Sequence, residues 1–150
     1  MERQTASGFG VIRHSAAPAH ESELDLVVPY TTPVLTRQAV AAADRMGAGL
    51  NATLRIVRVQ LVPFPMELSQ SPVHIDFMKT QLAQFHSVLP VVREIRLARE
   101  LEAGLAGVLT PESLIILATR KRPWKTTVQR TAERLRKAGH KVVLIEVENA

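Results

Sequence analysis

Five short runs of apolar residues alternate along this chain with four segments whose apolar residues recur at helical spacing, and that alternation limits the fold more than any other feature. The clearest unit spans 113–138. Leu114, Ile115, Ile116, Leu117 and Ala118 form a run too short for a typical helix, with Pro111 behind it and positive charge ahead, which predicts a buried strand. A basic turn follows over 119–127. Trp124, Val128, Ala132, Leu135 and Ala138 then recur at spacings of four, four, three and three, one face of a helix that Gly139 stops.

The same reading applies upstream. Residues 24–30 predict the first strand, with Pro29 near its end, where a missing hydrogen-bond donor costs least. Thr32 is placed to cap a helix whose first residue is Pro33 and which runs to about Met46, burying Leu35, Ala39, Ala42 or Ala43, and Met46; Gly47 and Gly49 stop it. Residues 53–59, extended by Leu61 and Val62, predict the second strand, and Pro63, Pro65 and Pro72 a loop. Ile75, Met78, Leu82, Phe85 and Leu89 predict a helix over 73–89. Residues 91–97 predict a third strand, Leu101, Leu105 and Val108 or Leu109 a short helix, and 141–147 the last strand. Strict alternation of this kind predicts an α/β doubly wound sandwich, a parallel sheet with helices on both faces.

With 150 residues, 46% of them apolar, one domain with a full core is expected over 24–150. Residues 1–23, rich in Ala, Ser, Pro and His, are expected as a flexible tail or linker, although Phe9, Val11 and Ile12 would also suit an added edge strand. The absence of cysteine excludes disulfides and thiolate metal sites. No apolar run approaches the roughly 20 residues that span a bilayer, and no apolar block follows Met1 and Glu2, so a cytoplasmic protein is expected.

Charge is concentrated. Between Arg120 and Lys137 stand eight Lys or Arg and one acid, Glu133, a local +7 that leaves −2 for the rest of a chain of net charge +5. A nucleic-acid binder more often spreads such charge over several elements, so nucleic acid is disfavoured as a partner.

In element order and length, residues 24–147 resemble the universal stress protein family. Val28-Pro29 matches a Val-Pro near the end of that family's first strand. Ser113 to Leu117 matches an Asp followed by Leu-Ile-Val-Met, and Ala132-Glu133-Arg134 matches Val-Ala-Glu-Arg in the last helix. The resemblance implies a five-stranded parallel sheet of order 3-2-1-4-5. It also implies where ATP would bind, and there the chain departs from the family. The family's Asp after Val-Pro corresponds to Thr31. Its Gly-x-x-Gly after the fourth strand corresponds to Ala118 and Lys121, and the Gly-Ser or Gly-Thr entering the last helix to about Gln129 and Arg130. Glycine serves such sites because phosphate needs close backbone approach. ATP and other adenine nucleotides are therefore disfavoured, and no cofactor is expected.

The basic turn remains a candidate for a small phosphorylated ligand. Arg120, Lys121, Arg122 and Lys125 supply charge, Thr119, Thr126 and Thr127 supply hydroxyls, and Tyr30 and Thr31 border the same crevice. The alternative is a solvated basic loop. Trp124 and Tyr30 are expected as packing residues, with stacking on a ligand as the other option. His74 and His86 stand too far apart for a helical metal pair, so no metal is expected. No nucleophile or metalloprotease motif is present, and the acids a receiver domain needs are replaced by Tyr30, Thr31 and Thr32. The expected function is a non-catalytic regulatory or interaction domain; the alternatives are a phosphate-ligand sensor and the cytoplasmic regulatory domain of a membrane transporter. The family commonly dimerises through its last strand, and Val142, Val143, Leu144, Ile145 and Val147 would form that homodimer interface here.

Overall fold

A computed structural model describes residues 10–16, 24–64 and 75–148. The chain runs β1 (Gly10–Ala16), β2 (Leu24–Pro29), α1 (Pro33–Gly47), β3 (Ala52–Leu61), α2 (Ile75–Ala83), β4 (Val91–Ala98), α3 (Leu101–Ala106), β5 (Ser113–Arg120), α4 (Thr127–Lys137) and β6 (Lys141–Val147). The sheet order is β1-β4-β3-β2-β5-β6. Its five parallel strands, numbered among themselves, give the order 3-2-1-4-5 expected of a doubly wound fold.

Strand periodicity divides the core in two, because successive side chains leave a strand on opposite faces. Leu26, Val28, Leu54, Ile56, Ile95 and Ile116 pack under α1 and α2. Val27, Val57, Ile115 and Leu117 pack under α3 and α4. β2 is central, with Leu26, Val27 and Val28 wholly buried, as a strand covered on both faces must be.

The helix ends follow local chemistry. Thr32 caps α1 by accepting from the Leu35 N–H at 3.2 Å, with Pro33 in the first turn. At the other end of the chain α4 closes in a Schellman turn. Gly139 takes φ +97°, its N–H donates to Arg136 O, and that of His140 donates to Leu135 O.

Three boundaries differ from expectation. α2 ends at Ala83 rather than near Leu89, because β4 begins at Val91 and a longer helix would leave no residues for the return. Phe85 stays buried and Leu89 half-buried, so their apolar spacing reports packing, not helix. Arg93 fixes the exit, donating from Nε to Leu82 O at 3.0 Å and from Nη2 to Phe85 O at 2.6 Å. α3 stops at Ala106, yet Val108 is buried all the same. α4 starts at Thr127, so Trp124 lies outside it, 65% exposed, and does not anchor the helix.

The first 23 residues, expected as a tail or linker, contribute the strand Gly10–Ala16, which pairs antiparallel with β4. The rest of that segment lies outside the described residues, as does most of the loop expected over 63–72 and the start of the helix expected from 73. No helix among the described residues is long and apolar enough to cross a membrane.

Candidate functional site

The parallel sheet reverses its direction of winding between β2 and β5, and open α/β sheets hold ligands where this happens, at the carboxyl ends of the strands. Here the two strands part early. Their ladder consists of Asp25–Ser113, Leu26–Leu114 and Val27–Ile115, although β5 continues to Arg120. Pro29 accounts for the break. N–H groups alternate sides along a strand, and Tyr30 donates to Val57 O of β3 at 2.8 Å, so position 29 faces β5 and has no N–H to offer.

The turn leaving β2 is held by threonines. Thr31 donates its N–H to the buried Thr36 Oγ1 at 3.0 Å, and Thr32 carries the cap of α1. The Tyr30 ring packs edge-on to Phe85 at 6.1 Å, and the Arg58 guanidinium lies 4.5 Å from its centroid.

Across the crevice, Thr119 is 1% exposed and hydrogen-bonds to Thr126. Thr126 forms a capping box: its Oγ1 accepts from the Gln129 N–H at 3.1 Å, and its own N–H donates to Gln129 Oε1 at 2.7 Å. Two amides at the start of α4 are thereby spent on the protein's own side chains. Lys125 Nζ lies 2.8 Å from Glu133 Oε2. Its hydrogen bond, then its charge with those of Lys137 and Arg130, holds the Glu133 carboxyl below the usual carboxylate range.

Two cavities meet in the crevice, sharing Leu35, Thr127 and Val128 as common wall. The inner one, about 300 Å³, is mostly apolar and is lined by Pro29, Leu35, Leu101, Leu117 and Val128, with Tyr30, Thr31 and Thr131. The outer one, about 450 Å³, is a mouth carrying Arg120, Arg122, Lys125 and Arg130 beside Trp124. Among the described residues, no acid lines either cavity.

Most of the expected site residues come together here. Tyr30, Thr31 and Thr127 line the inner chamber, and Thr119, Arg120, Arg122, Lys125, Thr126 and Thr127 line the mouth. Lys121 does not line the mouth: it turns into a neighbouring recess that Arg120 and Arg122 also line, 3.5 Å from Glu148. The sequence reading passed over Leu35, Leu101, Leu117, Val128 and Thr131, whose apolar or helical spacing marks them only as packing residues, and named Arg130 only as a position matching the family's Gly-Ser or Gly-Thr. Of the positions matching the family's glycines, Ala118 is buried in β5, Lys121 faces Glu148, and Gln129 is engaged in the capping box. The residues expected at a dimer interface, Val142, Val143, Leu144, Ile145 and Val147, lie half-buried on β6 at the sheet edge. No protein-family model and no curated protein sequence matches this chain.

Proposed function

We propose that this chain is a non-catalytic, universal-stress-protein-like regulatory domain that senses a small organic anion in the β2–β5 crevice and does not hold ATP by the family's glycine cradle. One observation carries the reading. The crevice has a mouth walled by Arg120, Arg122, Lys125 and Arg130 with no acid among the described residues that line it. A cleft walled by one sign of charge concentrates ligands of the other. Family likeness is supported by the five parallel strands in the order 3-2-1-4-5.

The departure from ATP is supported by the α4 capping box, which engages amides where a phosphate would need them. Isothermal titration with inorganic phosphate, phenyl phosphate and ATP tests the proposal. Binding of one of the small anions, weakened about tenfold or more in Arg122→Ala and Arg130→Ala, is the expected result, since each charge-assisted contact contributes about 1.5–3 kcal/mol. ATP bound at micromolar strength and one site per chain overturns the exclusion of nucleotide.

A second feature favours self-association. β6 borders the sheet, and its five aliphatic side chains are only half-covered by α1, α4 and β5. An exposed apolar edge of this length invites a partner strand.

A further inference from the structure

We infer that the ligand is amphipathic, an anionic head on a compact apolar body, with the head among the mouth cations and the body in the inner chamber. The inference rests on the anion-binding reading of the crevice and specifies what else the ligand must carry. The inner chamber adjoins the mouth, the two linings sharing Leu35, Thr127 and Val128. A ligand that spans both would set its body against Pro29, Leu101 and Leu117.

That wall is mostly apolar, and some of its polar groups are engaged within the protein, although the hydroxyl-bearing Tyr30, Thr31 and Thr127 also line it. Thr131 Oγ1 donates to Thr127 O at 3.1 Å, the Thr32 hydroxyl accepts from the Leu35 amide, and the Thr31 amide is spent on Thr36. A sugar hydroxyl or a second phosphate pushed into the chamber would give up water without a full set of new partners, which costs a few kcal/mol per group. An apolar body gains free energy there, at about 25 cal/mol per Å² buried. The chamber's 300 Å³ lies at the lower end of ligand cavities and has room for a ring or a branched chain; its mostly apolar lining, not its size, disfavours a nucleoside.

The head is selected separately. Arg122 and Arg130 reach the mouth from the loop and from the first turn of α4, and Lys125 lies between them, partly neutralised by Glu133. Carboxylate and phosphate monoester are both compatible with guanidinium recognition. The common chemistry is thus an acid head of small size, not a triphosphate chain.

The test uses the full chain and two matched pairs of probes, phosphate with phenyl phosphate and acetate with benzoate, followed by calorimetry and by fluorescence of Trp124, the one tryptophan in the sequence, which lines the mouth. The expected result is a gain of about tenfold or more on adding the ring in at least one pair. Filling the chamber with Leu101→Phe, at the half-exposed start of α3 and outside the mouth, should abolish that gain while leaving the affinity for the bare anion within about twofold. Thr131→Leu, which lines the chamber from α4, serves the same purpose should the first variant fail to fold. Equal affinity within both pairs overturns the inference but leaves the anion site standing; no binding of any probe at millimolar concentration removes both. AMP bound as tightly as phenyl phosphate also overturns it, because a nucleoside would then fit the chamber. Binding to vesicles containing phosphatidic acid, without binding of any free probe, would assign the mouth to a membrane surface and likewise overturn it.

Discussion

Position 29 faces β5 without an N–H, so the sheet opens where the first strand of the doubly wound unit ends, and the cavities occupy that opening. Other single residues constrain the fold as tightly. A Cβ at Gly104 would stand 2.6 Å from Val59 Cγ1, and valine is stiff at χ1, so α3 can approach β3 only through glycine. Gly104→Ala should therefore destabilise by about 1–3 kcal/mol in a denaturant titration, overriding the helix propensity that alanine ordinarily adds. Thr126→Ala removes the capping box and should cost about 1 kcal/mol by the same measurement. Asp25 accepts from Arg55 Nε at 3.0 Å and Nη2 at 2.7 Å and from Ser113 Oγ at 2.7 Å, which ties β2, β3 and β5 together at the end opposite the crevice. Asp25→Ala leaves the half-buried Arg55 without its carboxylate and should lower stability by about 2–4 kcal/mol.

Among the elements, the five parallel strands were legible because short apolar runs bounded by turn residues have few alternatives, and α1 was legible from Thr32 and Pro33 at one end, whereas β1 falls in the segment expected as a tail. The end of α2 was not. Phe85 and Leu89 continue its spacing but pack from an irregular segment, and the group that stops the helix, Arg93, lies on the next strand. Arg93→Ala should speed amide exchange across 75–89 more than elsewhere, with a loss of about 1–3 kcal/mol. The candidate site was half legible. Charged and hydroxyl residues of the turn announced the mouth, whereas Leu35, Leu101, Leu117 and Val128 line a cavity with the same hydrophobic pattern that core residues show. Trp124 was misjudged for a related reason: its spacing fits the helix face, but Thr126 caps α4 and the helix starts at Thr127. In that helix the Glu133 carboxyl is held low by Lys125, so it favours the folded state above the ordinary carboxylate range, and that contribution fades as pH falls through its depressed value. Lys125→Ala should return the Glu133 titration toward its usual position, followed by carboxyl NMR shifts.

At the scale of the whole molecule, the two borders of the sheet are unlike. One carries the antiparallel β1 along β4; the other ends in β6, where Arg136 Nη2 donates to Val142 O at 3.0 Å and the half-buried side chains are aliphatic, beside the exposed Lys141 and Glu146. Sedimentation should find a dimer, and Leu144→Lys should shift it to monomer, since a charge at a strand edge opposes pairing. The threonine-held starts of α1 and α4 bear on how such a fold changes its ligand. Placing glycine at positions 118 and 121 would not by itself admit a triphosphate, because Thr126 and Gln129 still occupy each other. A lineage or a designer moving in that direction would first have to give up about 1 kcal/mol of helix stability, a step downhill in robustness before any new recognition is gained.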